Sequence, residues 1–380
     1  MQTTYIAALA ILLAGAGWAQ RPKFDFNTET PEGKLLQQAG SETDEARKLA
    51  LFEEFVKTYP KHGGTAWAYS QLQPFYLKSQ QWDKSIQAGE AALALDPANS
   101  LVAYNALQGC EKKADIPCLK DWSARTVEAA RKMLAIQKPA DEAEAEAEEW
   151  NREIDYAKQV VTRCEYSLYA AGLQSTDPAV IIDLGSTLEQ RHPDSQYIPQ
   201  LAGRYVMALQ QTGQKEKATA AAEKAVSIDK TNEDMIAVVA DGYLQGKKDM
   251  AKVVEYADML MNVMQTKAAP QGTPPEAWEK KKTAMTGLGH WLKGMAYQEM
   301  QNPTETDKAF RAALPFIEGN NDLLAPAYFF LGVANHSMSK STKNPKLRAE
   351  AARFSELCAK ISGPYQQSCV KNLSAIKLGK

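Results

Sequence analysis

Apolar side chains return every three to four residues along almost the whole chain, and runs of strict apolar–polar alternation do not occur. The first period belongs to an amphipathic helix, the second to a half-buried strand. Ala, Leu, Glu, Lys and Gln, all good helix formers, fill the periodic stretches. Breaks fall at Tyr59-Pro60, Asp96-Pro97, His192-Pro193 and Gly363-Pro364. Proline removes a backbone donor and turns the residue before it away from helix. The pattern predicts an all-α chain of many helices.

Within that pattern one ladder recurs. Ser85, Gly89, Ala92 and Pro97 are separated by steps of 4, 3 and 5 residues. The same steps join Lys48, Phe52, Phe55 and Pro60, and again Ile181, Gly185, Leu188 and Pro193. They return at Ala218, Ala222, Ala225 and Lys230, and at Ala351, Ser355, Cys358 and Gly363, while Thr306, Phe310 and Ala313 supply the first three rungs. Pro60 lies 37 residues from Pro97, as Pro193 does from Lys230. Small residues seven apart on one helix face let a neighbouring helix come close. A lone hairpin cannot cover its apolar face, so such units stack, and a period of roughly 34–40 residues marks a helical solenoid.

The helices before each ladder carry a second signature. GHWLKGMAYQEM (289–300) puts Gly294 and Tyr297 on one face; AYFFLGVANHSM (327–338) places Tyr328, Leu331 and Gly332 alike; YSQLQPFY (69–76) has Tyr69, Leu72 and Tyr76. These two-helix units resemble tetratricopeptide repeats over most of residues 31–362. The resemblance is clearest at 66–97, 199–230, 287–318 and 325–363, weaker at 31–60, 162–193 and 233–264, and poor at 99–139. It implies an all-α, right-handed α-solenoid of stacked antiparallel helical hairpins, closed by a C-terminal capping helix. The expected organisation is repeats over 31–265 and 282–362, a Pro/Gly-containing insert at 266–281 and the cap at 363–380. Pro74 falls inside a first helix and is expected to kink it. The acidic run at 141–150 enlarges the fourth unit and reads as a solvated helix face.

The N-terminus departs from the repeat. Ile6 to Ala16 is an apolar run too short to span a bilayer, followed by Gly17 and Ala19 before a polar stretch. This has the form of a secretory signal (1–19) cleaved after Ala19 and followed by an extended segment (20–30), although no Lys or Arg precedes the run. An exported chain, periplasmic or secreted, is the expectation. No Cys follows the cleavage point, which argues against a lipid anchor, and no other segment suits a stable membrane span. Export gives the five cysteines a meaning. Cys110 and Cys118 flank one turn and Cys358 and Cys369 another, each pair placed to staple a helical hairpin. Cys164 lies on an apolar stripe and reads as a buried thiol. The alternative is that all five are reduced core residues.

Composition adds mainly exclusions. With 44 basic and 46 acidic residues the net charge is −2, so no basic groove for nucleic acid is signalled. The four histidines, His62, His192, His290 and His336, lack metal-ligand spacing, and no HExxH, CxxC, GxGxxG or phosphate-loop motif occurs. The serine of DLGSTLE (183–189) lacks a strand–turn–helix setting for a nucleophile. Neither a metal, a cofactor nor an enzyme is expected.

In the resembled family the first helices line a concave groove that holds extended peptides or partner helices. By that register the face includes Trp67, Ser70, Leu77, Met207, Gln210, Trp291, Met295, Phe329 and His336. Met and aromatic groups suit adaptable contact. The Lys and Asn cluster with which some relatives hold a C-terminal carboxylate is absent from Ser70, Pro74, Gly203 and Met207. The expectation is therefore a non-enzymatic scaffold or adaptor with a protein or peptide partner. Residues 52–69 are similar to repeats of exported envelope proteins, which adds an envelope-assembly version. The rival is a glycan-binding or glycan-hydrolysing helical protein, with carboxylates facing a cleft of Trp67, Trp82, Trp122, Trp150, Trp278 and Trp291.

Overall fold

The computed structural model describes residues 27–137 and 144–378, so the leader expected at 1–19 lies outside the described residues, as do most of the segment at 20–30 and the start of the acidic run. Among the described residues all regular structure is helical, most of it in two-helix hairpins, and no strand occurs. The chain divides into two compact units, one ending at Ala171 and the other beginning at Gly172.

The first unit holds α1 (Pro31–Ser41) and α2 (Glu45–Thr58), α3 (Thr65–Lys78) and α4 (Trp82–Leu95), α5 (Ser100–Lys112) and α6 (Ile116–Ala135), and most of α7 (Glu144–Gln174). The second holds α8 (Pro178–Arg191), α9 (Tyr197–Gln211) and α10 (Lys215–Ile228), and α11 (Glu233–Gln245) and α12 (Met250–Thr266). It continues with α13 (Pro275–Glu299) and α14 (Pro303–Ala313), α15 (Asn321–Thr342) and α16 (Pro345–Ala359), and finally α17 (Gln366–Lys377). Helix starts are set by Asp and Asn. Asp44, Asn99, Asp115, Asn232, Asp249, Asn302 and Asn320 each accept a hydrogen bond from the backbone N–H three residues on.

Within each unit every hairpin packs on the next. Leu36 and Ala39 of α1, Phe52 and Phe55 of α2, Leu72 and Tyr76 of α3 and Ala88 of α4 form one core across two hairpins. In the second unit Ala240 and Leu244 of α11 join Val253 and Ala257 of α12 and Leu292 and Ala296 of α13. First helices of successive hairpins also touch, α3 on α5 and, in the second unit, α9 on α11, α11 on α13 and α13 on α15, whereas among the described residues no comparable packing joins the second helices. This asymmetry gives each stack a face lined by first helices.

The ladder is the contact that permits this. All its helical rungs are buried except the half-buried Lys48. A Cβ added at Gly294 would lie 2.8 Å from the Phe310 ring, so the first helix can approach the second only because the residue is glycine. The same steps also place Leu119, Ser123 and Thr126 inside α6 and Val253, Ala257 and Leu260 inside α12, two ladders that differ in chemistry from the others.

Turns between paired helices share one geometry. The N–H of Gln81 donates to Tyr76 O and that of Gln80 to Leu77 O; the same two bonds recur at Asp115 and Ala114, Gln214 and Gly213, Lys248 and Lys247, and Asn302 and Gln301. The central residue has positive φ, 59° at Gln80, 52° at Ala114, 75° at Gly213, 47° at Lys247 and 55° at Gln301. This is the left-handed helix stop that glycine adopts most readily, yet glycine occupies it once in these five turns. α3 runs through Pro74, which is exposed, with no interruption of the helix.

The stretch expected as an insert is a loop over 267–274, and Pro275 already starts α13. Lys267 (2.5 Å) and Lys281 (2.7 Å), on either side of the loop, both bind the buried Glu233 of α11. Burial pushes the Glu233 carboxyl up, but hydrogen bonds from the two lysines outweigh it and hold the group below the usual carboxylate range. At the other end, α17 packs on α15 and α16 as the cap. Arg348 of α16 donates to Ile376 O at 2.6 Å, closing the last turn of α17.

Both expected staples are present. Cys110 and Cys118 are bonded with Cα atoms 5.5 Å apart, joining α5 to α6. Cys358 and Cys369 are bonded with Cα atoms 5.8 Å apart, joining α16 to α17. Cys164 is free and buried, and burial pushes its thiol up to about 12, which leaves it protonated and unreactive near neutrality.

Candidate functional site

The first-helix face of the first unit is built from α3, α5 and α7. On α3, Trp67 is 38% exposed and meets Phe52 edge-on at 5.5 Å between ring centres. Ser70 is half-buried, its hydroxyl donating to Trp67 O at 2.6 Å, and Leu77 is half-buried. Beneath them Gln73 is fully buried. Its amide donates to Ser85 O and Val102 O, both at 3.0 Å, and accepts from Asn105 at 3.3 Å, which locks α3 to α4 and α5.

Four residues that the register did not select complete this face. Leu101 of α5 is 49% exposed and Tyr166 of α7 is 54% exposed, with Tyr169 at 6.0 Å from the latter. Between them Arg163 of α7 lies over the Tyr104 ring at 5.7 Å and the Tyr156 ring at 5.3 Å. Burial raises the phenol pKa of Tyr104, aided by the charge of Glu111 and opposed by Arg163. Leu101 was missed because 99–139 departs from the repeat pattern, and Arg163, Tyr166 and Tyr169 because nothing in the sequence places α7 beside α5. The disulfide spacing, which already marks α5 and α6 as a hairpin, was the available signal.

In the second unit the predicted residues separate into two groups. Met207 is 58% exposed on α9 and Gln210 is exposed beside it. Trp291 and Met295 instead pack half-buried into the cores that join α11 through α16. The Trp291 indole donates to Leu323 O at 3.0 Å, fixing α13 to α15. Phe329 is half-buried, 5.0 Å from Phe330 and 5.3 Å from Tyr365 at the foot of the cap, and His336 is half-buried on α15. The structure thus brings Met207 and Gln210 together in the open and uses Trp291 and Met295 for stacking.

Tertiary packing also explains four of the six tryptophans offered as a glycan cleft. Trp122 and Trp278 are 3% and 4% exposed, Trp150 packs with Ala157 and Val160, and Trp291 is tied to α15. They are core and seam residues, not a shared lining. Among the described residues no three His, Cys, Asp or Glu side chains come together in a way that could hold a metal, and no helix is long and apolar enough to cross a membrane.

Carboxylates do recur at a structural position. Tyr76 donates to Glu53 at 2.9 Å, Tyr205 to Glu189 at 3.2 Å and Tyr243 to Glu223 at 3.1 Å, each from a first helix to the second helix of the hairpin before. Glu223 also accepts from Lys252 at 3.0 Å and Tyr256 at 3.1 Å. Burial raises its pKa, but these bonds more than offset that and keep it ionised. Such pairs fix the spacing between hairpins.

Residues 200–232 match the tetratricopeptide repeat family, in the hairpin α9–α10. No curated protein matches the chain. Among solved structures, the TPR domain of P58(IPK) is similar at 11% identity, covering 92% of this chain and 98% of that one with a TM-score of 0.24. Cut9–Hcn1, described as an APC/C hetero-tetramer, is similar at 11% identity, covering 93% and 95% with a TM-score of 0.22. At such scores the fold is read from the helices themselves.

Proposed function

We propose that this tetratricopeptide-repeat chain is a non-catalytic scaffold that holds a protein partner against the faces lined by its first helices. One observation carries the reading. In the first unit each of three successive first helices exposes a large apolar side chain, Trp67, Leu101 and Tyr166. In the second unit Met207 does the same. Exposed aromatic and methionine groups on a rigid frame are the usual anchors of an interface. Action outside the cytoplasm is part of the proposal, supported by the two disulfides and by the leader-like residues 1–19. An envelope protein is the partner class that this location implies.

The test is site-specific photo-crosslinking in an envelope extract. A benzophenone side chain placed at Trp67 or Met207 is expected to capture a defined protein. The same group at Glu54 of α2 or Ala220 of α10, both exposed on second helices, is expected to capture none. Capture from the second-helix positions alone, or polysaccharide turnover without any captured protein, overturns the proposal.

A further inference from the structure

Resting on that reading, we infer that the first-helix face of the first unit is a receptor for an extended peptide segment bearing an internal Asp or Glu, whose carboxylate is taken by Arg163. On α7 the other described cations are already matched: Lys158 pairs with Asp155 at 3.2 Å and Arg152 with Glu148 at 3.8 Å. Arg163 is exposed and stands over two tyrosine rings, from α5 and from α7, and has no carboxylate within ion-pair distance among the described residues.

Stacking on two rings does more than hold the side chain. The rings restrain the guanidinium close to the helix surface, and because the side chain is exposed it still offers an N–H edge to a ligand. That edge is a fork of parallel donors, which matches the two oxygens of a carboxylate. Because the rings already restrict the side chain, little rotamer freedom is lost when the carboxylate arrives.

The surroundings choose between kinds of carboxylate. Leu101 lies one helical turn before Tyr104 on α5, and Tyr166 one turn beyond Arg163 on α7; both are about half exposed. Apolar anchors on both helices call for partner residues on both sides of the acid. A chain terminus has residues on one side only. The occupant is therefore an internal acidic residue flanked by apolar ones.

The experiment uses the full chain and an array of random peptides of about a dozen residues, the length an extended segment needs to cross several repeats. The best binders are expected to carry an internal Asp or Glu beside an apolar residue. Replacing that acid by its amide should weaken wild-type binding roughly tenfold or more, the range of a charge-assisted pair. The same peptide change should have little further effect on Arg163→Met, and Arg163→Lys should recover only part of the affinity. Amidating the peptide C-terminus should leave binding unaltered. Circular dichroism of each variant checks that the helices persist.

Equal weakening in wild type and Arg163→Met overturns the inference, as does selection of basic or uncharged peptides or a requirement for a free C-terminus. Peptides that lose binding on Trp67→Ala but ignore charge leave the protein-binding face standing and remove Arg163 as its receptor. An array with no binder removes both.

Discussion

The hairpins α5–α6 and α9–α10 can be laid over one another by their turns, Ala114 on Gly213. Val102 then falls on Leu201, Ala106 on Tyr205, Cys110 on Leu209, Leu119 on Ala218, Ser123 on Ala222 and Thr126 on Ala225, and all twelve are buried. One of the two hairpins matches a repeat family and the other resembles it poorly, yet they use the same positions for the same contacts. The difference is in how each position is filled. Where α9 buries Leu209, α5 buries Cys110 and bonds it to Cys118. Where α10 is lined by three alanines, α6 has Leu, Ser and Thr, with Thr126 donating back to Trp122 O at 2.7 Å. A hairpin therefore needs small or apolar groups at set positions and a turn that stops the helix. A covalent link takes over where the side chains depart from the usual set.

The strongest way to break the comparison is through the shared core position. Leu209→Ala should cost about 2–5 kcal/mol, because a fully buried leucine leaves a cavity. It should be seen as faster amide exchange across residues 197–228. On α5–α6 the matching change is loss of the staple. The Cys110→Ala, Cys118→Ala double variant should cost about 2–3 kcal/mol, the value for a short closed loop. Reductant should reproduce that loss in the wild type and do nothing further to α5–α6 in the variant. A variant whose amide exchange over 100–135 is unchanged would show that the side chains alone hold this hairpin.

Smaller and opposite effects are expected at the turn. Ala114→Gly should stabilise α5–α6 by about 0.5–1 kcal/mol, since glycine enters the left-handed region without the Cβ penalty. Gly213→Ala should destabilise α9–α10 by a similar amount; a Cβ there would meet nothing within 4 Å, so the effect is purely conformational. Urea titrations of the two variants should shift in opposite directions. If both shift alike, the turn is not what sets the two hairpins apart.

These contrasts explain how much of the molecule could be read beforehand. The breaks between hairpins were legible because proline marks them, at Pro60, Pro97 and Pro193. The turns within hairpins were not, because Gln80, Ala114, Lys247 and Gln301 stand in the place where glycine would have announced the stop. The two disulfides were legible from spacing on either side of a turn, since a helical hairpin brings such residues within bonding reach. On the candidate face, register pointed to Trp67 and Met207, and both are exposed. It did not point to Arg163 and Tyr104, because they meet only when α5 and α7 are stacked.

What the chain determines by itself is local: helical period, the ladder of small residues, the capping Asp and Asn, and the places where proline forbids continuation. Each depends on neighbours within a turn or two, so the order of residues suffices. What only tertiary structure decided is which side chains remain outside once hairpins are stacked. Trp291 and Met207 occupy similar positions on paper, but one donates to the next hairpin at Leu323 and the other is left to solvent. Exposure is a property of what a neighbour fails to cover, and helical periodicity carries no information about the neighbour.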